Sequence, residues 1–202
     1  IIIGEDMTIT FVDEARAIDS LRKSDFDAVS AYCEVIDNSI QADSKNINVM
    51  FDTQPGSSGY FKINKVIFGD DGKGMDFDTL HRCLKLGWSS RYNSQKGIGR
   101  FGVGMTLAAI HECKRVEVYS KTSISKTYKT YIDLEEIENM SLNSIPEPSI
   151  EDVPDEYKDL IGVNSGTLVI WSKYDRQEKN AIKLIEESEI HFGRTYRYFI
   201  WD

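Results

Sequence analysis

Cysteine is scarce in this chain, and the few present are badly placed for bridging. Cys33, Cys83 and Cys113 are odd in number, widely spaced and form no CxxC pair. That argues against a disulfide framework and against a zinc site, and fits a reducing compartment, the cytoplasm, or the nucleus if the source is a eukaryote. No apolar run approaches the roughly 20 residues that span a bilayer, so no membrane role is expected. Ile1-Ile2-Ile3 is too short for a signal peptide and lacks a basic flank. Positive charge is in deficit: 24 Lys and Arg stand against 33 Asp and Glu, a net charge of −9. A general polyanion binder needs clustered cations, so that class is disfavoured. The basic residues that do cluster in sequence are Arg82, Lys85, Arg91, Lys96 and Arg100. There is no Walker A sequence, so any phosphate site is not a P-loop.

What is present suits one sizeable α/β domain or two small ones: 202 residues, 41% of them hydrophobic. Residues 7–12 alternate as a short strand, and Asp13 is placed to start a helix that runs to about Lys23. A second helix starts near Asp25 or Asp27 and reaches Ala42, with Val29, Tyr32, Cys33, Ile36 and Ile40 on one apolar face. Asn46–Asp52 and Lys65–Phe68 read as strands, Thr53–Gly59 as a turn-rich loop and Asp76–Leu86 as a short helix. Gly87–Gly104 is rich in Gly, Ser and basic residues and reads as a mobile loop, followed by a helix over Val103–Cys113. Val116–Ser120 and Lys126–Ile132 form a hairpin, Thr167–Trp171 is a strand, and Glu178–Tyr198 is a long last helix. Glu135–Gly162 is acidic, carries three prolines and reads as irregular or as short helices. The order lacks strict strand–helix alternation, so a mixed, mostly antiparallel sheet with helices on one face is expected. The aromatic-rich end, Tyr196–Trp201, suggests a piece of a longer protein.

Three motifs carry chemistry. Glu34-Val-Ile-Asp37-Asn38, followed by Ala42, lies on the second helix, where Ser30, Glu34, Asp37, Asn38 and Gln41 share a polar stripe. A solvated face is the plain alternative. The stripe is short-chained, though, and the helix is otherwise strongly apolar. An Asn carbonyl suits a hard cation such as Mg²⁺, and a carboxylate one turn away can orient or deprotonate a water. Asp70-Asp71-Gly72-Lys73-Gly74-Met75 follows a strand directly. It is either a tight turn or a strand-end carboxylate that accepts a hydrogen bond from a flat ligand, with glycines allowing close backbone approach. It lacks the alternating carboxylates of an EF-hand. Gly97-Ile-Gly99-Arg-Phe101-Gly102-Val103-Gly104 contains a literal GxGxxG, but the polar residues before it make no strand, which the dinucleotide fingerprint requires. A glycine-rich loop feeding a helix N-terminus remains, a good place for phosphates.

In this order and spacing the motifs resemble the N, G1 and G2 boxes of the GHKL superfamily, which covers gyrase B, the ninety-kilodalton heat-shock chaperones, histidine kinases and MutL. Ser165-Gly166-Thr167-Leu-Val-Ile resembles that superfamily's Gly-Thr strand, and Leu86-Gly-Trp-Ser-Ser90 with Ile98–Gly104 looks closest to MORC-like ATPases. The resemblance spans roughly residues 25–172. It implies a Bergerat fold, an α/β two-layer sandwich, forming a single ATP-binding domain over 1–202 that stops before a transducer domain, with residues 76–104 as a mobile ATP lid. It implies that Asp70 accepts the adenine amino group, supported by Thr167, Gly72 and Gly74, while Met75 packs on the base and Ala42 stands close by on the helix. Asn38 would hold Mg²⁺, Glu34 would be the general base, and Gly99, Gly102 and Gly104 would present N–H groups to the phosphates, with Phe101 and Val103 as lid hinge and wall. Lys96 or Arg100 would add charge. Glu34 favours hydrolysis over the phosphotransfer of histidine kinases, which typically lack it. The implied partners are ATP and ADP, a second copy in an ATP-dependent homodimer of the full-length protein and, by analogy only, DNA. A nucleotide-gated interaction module without useful turnover is the main alternative, and a kinase of the histidine-kinase type the next.

Overall fold

The computed structural model describes residues 14–23, 27–86, 104–177 and 179–200. The chain order is α1 (Glu14–Leu21), α2 (Ala28–Gln41), β1 (Ile47–Pro55), β2 (Phe61–Asp70), α3 (Phe77–Arg82), α4 (Gly104–Glu112), β3 (Cys113–Lys121), β4 (Tyr128–Asp133), α5 (Leu134–Glu138), β5 (Ser149–Ile150), β6 (Gly166–Tyr174), α6 (Ala181–Thr195) and α7 (Arg197–Ile200). Single 3₁₀ segments occupy Ser57–Gly59 and Asp155–Leu160. The strands form one six-stranded sheet in the order β1-β2-β6-β3-β4-β5. Every pairing among the described residues is antiparallel rather than mixed. This is the α/β two-layer architecture of the Bergerat type. Among the described residues no helix is long and apolar enough to cross a membrane.

Local chemistry sets the helix starts. Asp27 caps α2 by accepting from the Ser30 N–H at 3.1 Å, Asp76 caps α3 through Thr79 N–H at 2.8 Å, and Asn180 caps α6 through Ile182 N–H at 3.1 Å. Each cap satisfies one of the N–H groups that a helix start leaves orphaned. The last helix therefore begins at Ala181, three residues after Glu178, and breaks at Tyr196 before α7.

Alternation along β2 divides the core. Val66 and Phe68 face the helices, where Phe68, Tyr32 and Trp171 meet with ring centroids 5.2 to 5.9 Å apart. Ile67 faces the other way, against Val153, Tyr157 and Ile161. The irregular segment before β6 thus covers the back of the sheet, which is why the end of β2 is buried on both faces. β1 runs further than expected: Thr53 and Gln54 pair with Ile63 and Lys62 beyond a register shift, and the loop shrinks to a turn closed by Gly56 N–H on Tyr60 O at 2.6 Å. The buried face of α2 is also rotated from the expected one. Ala31, Val35 and Ser39 are buried with Val29, Tyr32 and Ile36, while Cys33 and Ile40 are only half-buried. Ser39 meets Asp70 at the end of β2, and α4 packs along the flank of α2. In α3, and just beyond it, Leu80 and Leu84 are fully buried, so the first part of the 76–104 segment is fixed to the core.

Candidate functional site

Asp70 is the last residue of β2 and lies opposite Thr167 of β6, which is in turn opposite Ser120 of β3. Its side chain is buried, at 5% exposure. One carboxylate oxygen accepts from Gly72 N–H at 2.9 Å and Thr167 N–H at 3.3 Å, and the other from the Ser39 hydroxyl at 2.9 Å. A carboxylate offers about four acceptor positions. Gly72, Thr167 and Ser39 fill three, the Ser44 hydroxyl also acts on the carboxylate, and Asp70 lines the cavity. Burial raises the Asp70 carboxyl above its ordinary range, and Gly72, Ser39, Ser44 and Thr167 pull against that rise.

Ser120 organises the neighbouring wall. Its hydroxyl donates to Gly166 O at 3.1 Å, accepts from Met75 N–H at 2.8 Å and lies 2.9 Å from the Thr167 hydroxyl. Because its single proton goes to Gly166, Thr167 is the donor in that last pair and keeps its own lone pairs for the cavity. The turn from Asp70 to Met75 is tight. Gly74 has φ +68°, and a Cβ there would drive into the Lys121 carbonyl; a Cβ on Gly72 would meet the Ala42 side chain at 2.8 Å. Ala42 is the C-cap residue of α2, and its carbonyl accepts Lys73 N–H at 3.0 Å, which fastens the turn to the helix.

The other end of the site lies up α2. Glu34 is five residues before Ser39, about 7.5 Å along the axis at the α-helical rise. Glu34 is half-buried, Asn38 one turn on is exposed, and both line the same cavity as Asp70. Gly104 opens α4 directly against Glu34, where a Cβ would push the carboxylate out of its place. Burial raises the Glu34 carboxyl, and the charge of Asp37 adds to the rise. The cavity holds about 550 Å³, within the about 300–1,000 Å³ of small-molecule sites. Val35, Met75, Met105, Val118 and Val169 give it apolar walls between the two polar ends.

The structure therefore brings Glu34, Asn38, Ala42, Asp70, Gly74, Met75, Gly104 and Thr167 around one cavity, with Gly72 behind Asp70. Gly99, Phe101, Gly102 and Val103, with Lys96 and Arg100, lie outside the described residues. Sequence reasoning missed Ser39 and Ser120. A serine on the core side of an apolar helix is a signal for the first; nothing local marks the second.

The fold and the site define a class. The chain belongs to the family of histidine kinase-, DNA gyrase B- and HSP90-like ATPases, whose model matches residues 26–167. Within that GHKL group it is MORC-like. It is 23% identical over 198 residues to Protein MICRORCHIDIA 2 of Arabidopsis thaliana, covering 86% of this chain and 29% of that protein. It is 32% identical over 91 residues to Protein MICRORCHIDIA 3 of the same plant, covering 41% of this chain and 14% of that one. The chain thus spans less than a third of the length of these curated relatives.

Proposed function

We propose that residues 1–202 form a single ATP-binding domain of a longer protein, that it binds and hydrolyses ATP with Mg²⁺, and that ATP drives self-association and closure of the part of the 76–104 lid that lies beyond the core-anchored Leu80 and Leu84. The observation that carries the reading is the buried Asp70 carboxylate lining one end of the cavity, with the Glu34–Gly104 contact at the other. A flat base with an exocyclic amino group fits the Asp70 end, beside Met75 and the Thr167 hydroxyl. That placement directs the phosphates along α2 toward Asn38 and the start of α4, since the first N–H groups of a helix have no intrahelical partner and favour negative charge.

The donor set fits Mg²⁺. Among the described residues no group of three His, Cys, Asp or Glu is arranged to hold a metal by itself. Mg²⁺ is commonly held by one or two protein oxygens together with substrate phosphates, and Asn38 supplies such an oxygen from the cavity wall. Bound there, Mg²⁺ would neutralise phosphate charge during transfer. Glu34 would orient the attacking water and take its proton, with burial holding its basicity up. Asn38→Ala is expected to abolish the Mg²⁺-dependent part of ADP affinity and leave the affinity in EDTA unchanged. Calorimetry in both media checks this, and equal losses in the two would remove the metal role.

The lid and dimer parts of the proposal rest on the glycine-rich sequence and the GHKL resemblance that it carries. Saturation with a non-hydrolysable ATP analogue is expected to slow amide exchange across residues 85–100 and to raise the sedimenting mass of the full-length protein. Identical exchange with and without the analogue would eliminate a nucleotide-responsive lid. The free thiols Cys33, Cys83 and Cys113 support a cytoplasmic or nuclear setting.

A further inference from the structure

The helical turn that carries Glu34 and Asn38 is gripped from α6. Tyr196, the C-cap residue of α6, is buried at 6% exposure, and its ring lies against Phe192 with centroids 6.5 Å apart. Its hydroxyl sits 2.8 Å from Asp37 Oδ1 and 3.3 Å from the Cys33 carbonyl. These two acceptors bracket one turn of α2. Glu34 and Asn38, which belong to the same stretch, line the cavity, whereas Cys33 and Asp37 do not. The contact spans 159 residues of sequence, so it ties the late helix to the early one.

The chemistry of the contact is one-directional. A buried phenol must place its proton, because a buried polar group without a partner costs free energy. Burial and the neighbouring Cys33 and Asp37 hold the Tyr196 hydroxyl protonated, well above the ordinary range of a phenol, so it acts as a donor. A charged acceptor makes the stronger bond, so the proton goes to Asp37. That fixes where the Asp37 charge lies, three residues from Glu34 on the same helix side. It also stiffens the turn through which Glu34 and Asn38 are mounted.

We propose that Tyr196 is a positioning residue for ATP hydrolysis: its hydroxyl holds Asp37 and the Cys33–Asp37 turn, so that α6 sets how Glu34 meets the attacking water. This rests on the reading of Glu34 as the base. Nothing in the contact touches the adenine end, so α6 bears on the phosphate end, where Glu34 and Asn38 sit, and not on recognition of the base. A displacement of α6 would release Asp37 and turn down hydrolysis while leaving ATP bound.

The test is Tyr196→Phe in the full-length protein, which removes the hydroxyl and keeps the ring. The expected result is a kcat lower by on the order of tenfold or more, the scale on which small misplacements of reacting groups act. Calorimetric affinity for the non-hydrolysable analogue in EDTA and the thermal midpoint should stay close to wild type, and amide exchange at residues 37 and 38 should quicken. In an Asp37→Ala background the same substitution should add little, because Tyr196 acts through Asp37. Unchanged kcat, additive effects of the two substitutions, or a joint fall of kcat, affinity and thermal midpoint would each overturn the proposal. Wild-type turnover in Glu34→Ala would instead remove the underlying reading. Turnover that depends on Glu34 but ignores Tyr196→Phe removes this inference alone.

Discussion

Asp70→Asn is expected to weaken ATP and ADP binding by about 2 kcal/mol or more, the cost of mismatching a buried polar contact. The substitution is nearly isosteric, and the fold should accept it. The amide oxygen can still accept from Gly72 and Thr167, and Ser39, which lies 3.3 Å from Val35 O, can turn its proton there and accept from the new NH₂. What changes is the position facing the cavity, where an acceptor becomes a donor pointed at another donor. Calorimetry with ADP reads the loss, and unchanged affinity would remove Asp70 from base recognition. The variant should carry a second signature. The folded-state carboxyl of Asp70 is raised above its unfolded value, so the fold binds the proton more tightly than the unfolded chain. Wild-type stability without nucleotide therefore falls as pH rises from the ordinary carboxylate value of 3.8 through the raised one. Asp70→Asn lacks that fall, so its thermal midpoint relative to wild type should improve from acid to neutral pH.

Glu34→Ala should do the reverse, sparing binding and removing turnover. Glu34 lies a turn and a half of α2 from the Ser39–Asp70 contact and makes no part of the adenine end. Loss of a general base costs roughly 10² or more in rate. In the full-length protein the variant should bind ATP with near wild-type affinity and keep it unhydrolysed, as single-turnover chase of labelled ATP would show. Wild-type turnover would reduce Glu34 to a helix residue that happens to pack on Gly104. Because burial and Asp37 raise its carboxyl, the acid limb of the wild-type rate profile should lie above the ordinary glutamate range.

Much of this site could be read in the sequence because its parts are local. Glu34 and Asn38 share a helix face by spacing alone, and Asp70 with its two glycines is a strand end followed by a turn. The rest depends on parts distant in sequence. Ser39 looks like an ordinary polar interruption of an apolar helix until β2 delivers Asp70 to it from 31 residues away. Ser120 matters only because β6 lies beside β3, which places Thr167 47 residues further on against its hydroxyl. The expected apolar face of α2 was off by a fraction of a turn for a related reason. Periodicity finds the most hydrophobic stripe, whereas the sheet selects the stripe that packs closest, with Ala31 and Ser39 in it. The strand lengths were underestimated where polar residues such as Lys62 and Gln54 continue the ladder, since a backbone pairing does not require an apolar side chain.

The position of β6 has a consequence for how the molecule comes into being. The last strand of the chain lies in the middle of the sheet, between β2 and β3. Until residues 166–174 arrive, β1-β2 and β3-β4-β5 have no shared neighbour, and Asp70 lacks the Thr167 N–H, 97 residues downstream. Closing so long a loop is entropically costly and slow, which places sheet completion late in folding. During synthesis, which runs at about 5–20 residues per second, the chain therefore passes several seconds as two separate ribbons with their inner edges open. The nucleotide cannot assist that phase as a template, because its pocket is one of the last things to form; it can only trap the finished sheet, by mass action on the folded state.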